Sequence, residues 1–435
     1  MGKQNRRRRT GRRPHSGPTG GGDFWSEQKT PDSSADAAEI ANMLMAAAME
    51  TARGAVAAAE RCAAALAGRD RLTPQVEHGV HLAGQRIIAR IFQNGWLPWD
   101  VHRAARRHLD EHAIALLTDV ITTYMQPFAA ASVDETWRAQ LDQLEAVVWW
   151  STSAPHLGQW ATKHLLTPTE ALTTAVQALA LLIRLPRLEL IRPLPGTARP
   201  NTASHHHVDE KVLGRVRGLL AKAESTSFPE EAEALSAKAQ ELMTKYALDR
   251  VLIDADTAAP DLPGAQRIWL DTPYLEAKAL LVDTVAQANR SRAIFSSEWG
   301  FMTVVGDDSD LEVIELLTTS LLVQATRAMI ASGNQEQRSA DSRSRAYRKS
   351  FLLAYATRIG ERLTAATETT IAQSTESARL LPVLASHQVQ VDKAFDTLFP
   401  TVRNRGVAIG NANGWDDGRA AADDAKLEAR RPLRK

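Results

Sequence analysis

The stretch from Asp209 to Leu248, DEKVLGRVRGLLAKAESTSFPEEAEALSAKAQELMTKYAL, restricts the fold more tightly than any other part of the chain, because it specifies two amphipathic helices and the break between them. Leu213, Val216, Leu220 and Ala223 recur at helical spacing, with Val212 and Leu219 widening the stripe, which is the pattern of a buried face. The opposite face is basic, with Lys211, Arg215, Arg217 and Lys222. Ser227 stands three residues before Glu230, a capping-box spacing, and Pro229 occupies the first turn, where a missing N–H costs little. Glu230, Glu231 and Glu233 follow at the helix N-terminus, where the macrodipole favours negative charge. Leu235, Ala239, Leu242 and Tyr246, with Met243 beside them, form the second stripe, so the spacing predicts a helical hairpin whose stripes face each other or a common core.

The residues Arg-x-Leu-Leu-x-x-Ala-Glu at Arg217 to Glu224, Glu-Ala-Glu-Ala at Glu231 to Ala234, and Ala-Gln-Glu-Leu-Met at Ala239 to Met243 closely resemble the signature of a bacterial and phage family, the domain of unknown function 2786. The resemblance covers about forty residues and implies no activity, since that family has none established. The segment Gly95-Trp96-Leu97-Pro98, followed by the basic residues Arg103, Arg106 and Arg107, is similar to an N-terminal extension of some members. The order of elements after the hairpin resembles the family's companion domain, also of unknown function; Tyr347 to Phe351 and Gly414 to Ala421 carry that likeness.

Around this block the chain divides by composition. Residues 1–34 read as a disordered basic tail: Lys3 to Arg13 carry only positive charge, and Gly20 to Gly22 follow. Helical periodicity runs through 35–186, with helices expected over 35–68, 74–94, from Pro98 onward, over 132–151 and over 168–183. Trp137, Trp149, Trp150 and Trp160 in this part are read as core. Residues 187–208, rich in Pro and holding His205, His206 and His207, read as a linker. The hairpin domain spans 209–250, an α+β domain 264–425, and a second basic tail 426–435. Within 264–425 the β-favouring runs are Arg267 to Leu270, Arg292 to Ser296 and Phe301 to Val305, the last two forming a hairpin; helices are expected over 274–288, after Asp307-Asp308-Ser309, and over 343–367. The fold class is therefore mainly α, with a small β-sheet packed on helices in the C-terminal part.

Several function classes lose support at this level. Cys62 is the single cysteine, which excludes an intramolecular disulfide and a multi-cysteine zinc site. No apolar run reads as a bilayer span and no signal-peptide core follows the basic start, so a cytoplasmic location without membrane contact is expected. His108 and His112 share a helix face, but the glutamate precedes the second histidine and the zinc-protease spacing fails. Gly414, Gly418 and Ala422 form a small-residue ridge suited to close packing; Val407 to Ile409 is one candidate for the strand that a phosphate loop needs before it, but the pattern is missing its Gly-Lys-Ser or Gly-Lys-Thr. No nucleophile elbow is present. No metal site and no cofactor are expected.

The functional reading is a non-enzymatic nucleic-acid-associated or macromolecular interaction protein. Arg6, Arg7, Arg8 and Arg9 would supply sequence-independent phosphate contacts, and a helix bearing Arg345, Arg348, Lys349, Arg358 and Arg362 a second anion-binding surface. On that helix Tyr347, Phe351, Tyr355 and Ile359 form one stripe, and an Arg358 to Glu361 pair would be the ordinary intrahelical alternative. Two alternatives stand beside it: an enzyme with its site between the hairpin and the C-terminal domain, using the Tyr347 to Glu361 helix, and a structural protein that assembles as a homo-oligomer.

Overall fold

Capping chemistry sets most helix boundaries in the first half. The computed structural model describes residues 32–69, 71–198, 210–225, 238, 239, 241, 242, 245, 263–333, 344–373, 377–401 and 412–424. α1 (Asp32–Ala52) and α2 (Ala57–Leu66) divide the Ala-rich stretch expected as one helix, because the chain turns at Gly54, whose φ of +102° a side-chain-bearing residue rarely adopts. α3 (Pro74–Gln93) begins where the Thr73 side chain accepts from Val76 N–H at 3.4 Å. α4 (Pro98–His108), α5 (Glu111–Met125), a 3-10 turn (Ala130–Ser132), α6 (Glu135–Gln143) and α7 (His156–Lys163) follow. α8 (Pro168–Arg184) opens on a capping box between Thr167 and Glu170. α6 stops well short of Ser151, and Glu145 just beyond it has a φ of +51°. The segment between α6 and α7 is held instead by Asp119 on α5, which accepts from Trp149 Nε1 at 3.0 Å and lies 2.8 Å from His156 Nε2.

Trp96, Trp137 and Trp160 are fully buried with Phe92, Leu44 and Ile88, while Trp149 stays at the surface with Lys163 3.8 Å over its ring. Aromatic density in this half therefore builds core, as the composition predicts, with one exception.

The second half holds α9 (Glu210–Ser225), β1 (Gly264–Trp269), α10 (Leu275–Ala288), β2 (Arg292–Ser296), β3 (Phe301–Gly306), α11 (Asp308–Gly333), α12 (Arg345–Gln373), α13 (Ser377–Leu398) and α14 (Ala412–Asp424). The fold is mainly α with one small antiparallel sheet, in strand order β1-β3-β2. β2 and β3 form the expected hairpin, Phe295 opposite Met302; β1 pairs along the other side of β3, Ile268 opposite Met302. One sheet face packs Ile268, Met302 and Val304 onto Val282 and Val285 of α10 and onto Ile314 and Leu317 of α11. Val216 and Leu220 of α9, with Ala239 and Leu242 from the second half of the signature, enter this same core. The described members of both stripes thus enter a common core; Leu235 and Tyr246 lie outside the described residues. Within α11, Asp310–Ile330 is apolar and long enough to cross a bilayer by length and composition, which corrects the expectation that no such run exists; its Ile314, Leu317, Leu321 and Ala325 stripe lies in the core.

α14 runs against α12 at backbone distance because Gly414 sits on the Tyr347 backbone and Gly418 on that of Phe351. The small-residue ridge is a packing device. A Cβ at position 418 would collide with the Phe351 carbonyl, an atom that no rotamer change can move. Gly418→Ala is expected to destabilise the protein by about 1–3 kcal/mol, read as a lower urea midpoint.

Residues 1–31, His205 to His207, the Ser227 capping box, Val407 to Ile409 and the terminal basic tail lie outside the described residues.

Candidate interaction cleft

Gly95 to Asp100, between α3 and α4, organises the junction of the two halves. Gly95 has a φ of +87°, and a Cβ there would overlap the Leu188 and Glu189 carbonyls of the strap that leaves α8. Trp96 turns inward, donates from Nε1 to Pro186 C=O at 2.8 Å, and meets Trp299 edge-on at 5.7 Å between centroids. Asp100, in the first turn of α4, accepts from Leu97 N–H at 3.2 Å and closes that turn. Its remaining acceptor capacity is spent on the sheet: Arg267 Nη1 donates to Asp100 Oδ2 at 2.6 Å and Trp269 Nε1 to Oδ1 at 2.7 Å. Arg267 also donates to Gly95 C=O at 2.7 Å and Glu189 C=O at 2.9 Å. Both charged side chains are only 3% exposed, so the pair survives burial because nearly every polar atom around it has a partner. Further along α4, Arg107 donates to the Leu270, Trp299 and Gly300 carbonyls. Burial and the neighbouring Arg103 lower the Arg107 pKa, with Asp271 opposing. Trp299 of the β2–β3 turn and Phe301 of β3 pack into the core of the helical half. The halves are joined by a buried, largely satisfied interface.

Beside that interface a cleft of about 1650 Å³ opens. β1 forms its floor; one wall is α11, with Glu312, Glu315, Thr319 and Leu322, and the other is α4, α6 and the strap, with Trp99, Arg138 and Arg192. Ion pairs span the halves on its rim, Arg192 with Asp308 at 3.3 Å and Arg103 with Asp271. Lys278 donates to Asp271 C=O at 2.6 Å, and burial lowers its pKa while Asp271 opposes the shift.

The ladder dictates what β1 presents to the cleft. In an antiparallel pair alternate residues direct N–H and C=O to the partner strand. Leu270 N–H donates to Gly300 C=O at 3.0 Å in register with the β1–β3 ladder, so Gly264, Gln266 and Ile268 also face β3. Ala265, Arg267 and Trp269 therefore point their backbone groups the other way, and among the described residues none of these groups has a partner.

Glu315 projects from α11 over this edge and accepts from Gln266 Nε2. Its side chain is exposed to the cleft, and partial desolvation by the neighbouring walls, with the Glu312 carboxylate adding to it, raises its pKa above the ordinary 4.5. Among the described residues it has no cationic partner. The folded state favours the protonated form, so this group's contribution to stability is greatest below its ordinary pKa and is lost as pH rises through the raised value. In a carboxyl-carbon NMR titration Glu315 is expected to titrate above free glutamate, and Glu361, held down by Arg419 and Arg358, below it.

The cations singled out in the sequence are dispersed. Arg6 to Arg9 lie outside the described residues. Arg345 and Arg348 are exposed. Lys349 pairs with Glu276 at 2.7 Å. Arg358 pairs with Glu361 at 2.7 Å, the ordinary intrahelical alternative, and with Asp423. Arg362 is buried and donates to the Ala422 carbonyl and, at 2.9 Å, to that of Asp423, capping the end of α14. Tyr347, Phe351, Tyr355 and Ile359 are core residues. His108 stacks edge-on against Trp299 and His112 against His164, and among the described residues no group of metal-ligating side chains assembles. The residues that build the cleft, Asp100, Arg267 and Glu315, carried no local signal; Arg103 and Arg107, noted as one side of a basic helix, prove to be ties to the sheet.

Residues 211–250 match the family described as "Protein of unknown function (DUF2786)". No curated protein and no solved structure matches the chain.

Proposed function

We propose that the protein is a non-enzymatic macromolecular interaction protein whose docking site is the cleft between its two halves, and that a polypeptide is what docks there. The unpartnered backbone edge of β1 in the cleft floor carries this reading. Small-molecule pockets are roughly 300–1,000 Å³ and mostly apolar; this cleft is larger, open, and lined by charges of both signs. With Asp308 paired to Arg192 and Glu312 to Arg217, Glu315 is the acid on this wall without a cationic partner among the described residues, and it disfavours a phosphate backbone there and suits a polypeptide. Filling the cleft with Thr319→Trp and Thr326→Trp, on its exposed α11 wall, tests the reading. An array of short labelled peptides bound by the full-length protein should lose its signal with this variant; equal binding by both proteins would overturn the reading.

Nucleic-acid association is a second reading, favoured by the segment Lys3 to Arg13, whose charged residues are all positive, and by the exposed Arg345 and Arg348. It predicts binding of labelled DNA or RNA that falls steeply with salt and with deletion of Met1 to Gly22. Salt-insensitive binding would contradict it.

A further inference from the structure

We infer that the occupant of the cleft is an extended segment of another protein, carrying a lysine or arginine, that adds antiparallel to β1 as a fourth strand. This rests on the proposed docking function and specifies its ligand.

The backbone of β1 narrows the ligand chemistry first. Arg267 and Trp269 offer donor and acceptor pairs two residues apart, about 6.6 Å at the usual rise of a strand. An extended polypeptide repeats matching groups at that spacing, which is the basis of strand addition. Free edges are ordinarily blunted by proline, a bulge or a charge standing over the edge. Pro263 stands just before β1 and none lies within it, its ladder to β3 runs without a bulge from Gly264 to Trp269, and its one charge, Arg267, is turned away and held by Asp100, Gly95 and Glu189. The edge is instead sheltered by the walls on either side.

Side-chain chemistry then sets the sign of the ligand. In an antiparallel pair, residues directly opposite share a face. Gln266 lies on the α11 face, where its amide reaches Glu315, so the incoming residue opposite Gln266 arrives beside Glu315 and Glu312. The Glu315 carboxylate, exposed on the cleft wall, lacks a cation among the described residues, and a charge-assisted hydrogen bond to a basic side chain is stronger than a neutral one. A lysine or arginine at that position supplies the missing charge. The residues on either side of it carry the N–H groups that bond the β1 edge.

The probe is a fluorescent, end-capped peptide, Thr-Val-Thr-Val-Lys-Val-Thr-Val-Thr, titrated with the full-length protein. We expect binding that weakens about ten-fold or more when its lysine becomes glutamate, and an inverted preference in Glu315→Lys, which should take the glutamate peptide instead. N-methylating the two valines beside the lysine should weaken binding about ten-fold, whereas N-methylating the lysine itself should not, since only alternate N–H groups face β1. Equal sensitivity at both positions, or no binding of the lysine peptide at millimolar concentration, would overturn strand addition. If the peptides that filling the cleft displaces nonetheless tolerate every N-methyl group, this inference fails and the docking reading stands; if filling the cleft displaces nothing, both fail. Tighter peptide binding after deletion of Met1 to Gly22 would name the protein's own basic segment as the occupant and overturn a partner in trans.

Discussion

Replacing Arg267 with alanine is expected to destabilise the protein by about 3–5 kcal/mol, the usual cost of removing one member of a buried ion pair. Asp100 would keep only the Leu97 N–H and Trp269 Nε1 donors while remaining 3% exposed, and the Gly95 and Glu189 carbonyls would lose their donor. The measurement is the denaturant midpoint at unchanged m-value, because compactness should not alter. Two controls separate charge from packing. Asp100→Asn keeps an acceptor for Trp269 and removes the charge. Combined with Arg267→Met, it should be less destabilised than the sum of the single variants, since the two residues form one network. Since the pair ties α4 to β1, Arg267→Ala should also admit protease to the strap at 187–198 at denaturant concentrations that leave the parent intact.

Trp96→Ala should cost a similar amount, about 3–5 kcal/mol, by a different route. The indole is fully buried between the halves, with Trp299 edge-on at 5.7 Å and Phe301 at 6.4 Å, so truncation leaves a cavity that two other large rings can only partly refill. The Pro186 carbonyl would lose its donor as well. Trp96→Phe keeps most of the volume and loses that hydrogen bond, so it should fall between alanine and the parent. An alanine variant as stable as the parent in thermal unfolding would mean that the two cores do not depend on one another.

Local signals made much of this architecture legible. The first stripe before Ser225, the β2–β3 hairpin and the helix that opens at Pro168 are each complete within a few residues, so periodicity and local chemistry locate them. The Gly414 and Gly418 ridge could likewise be read as packing, because only small residues allow that approach. The features that escape local reading are non-local. β1 is six residues long and pairs with a strand more than thirty residues downstream, so no turn between them marks the pairing. Arg267 within Arg-Ile-Trp has the composition of a half-exposed strand, and nothing near it shows that its partner is Asp100 at the start of α4. The Ala-rich first helix is over-extended by periodicity because alanine propensity gives no stop, and the break rests on Gly54 alone. The Tyr347 stripe is the reverse case. Its aromatic and basic residues suggest a surface, but the spacing belongs to a core helix; Lys349 and Arg358 serve acids on α10, α12 and α14, Arg362 caps the end of α14, and Arg345 and Arg348 stay exposed.

The same reasoning explains why the cleft is not visible in the sequence. Its floor is a strand edge, its walls come from both halves, and Glu315 lies on a helix whose apolar stripe reads as ordinary core. The family match is limited to residues 211–250, so it begins within α9 and stops short of β1.

Amide hydrogen exchange at single-residue resolution along β1, with and without the lysine peptide, tests the free strand edge most directly. In the free protein Gln266, Ile268 and Leu270 should be protected by β3, while Arg267 and Trp269 exchange faster; adding the peptide should slow those two amides and leave the others unchanged. Uniform protection along β1 before any peptide is added, or unaltered exchange at Arg267 and Trp269 once it is bound, would contradict a free strand edge as the docking site.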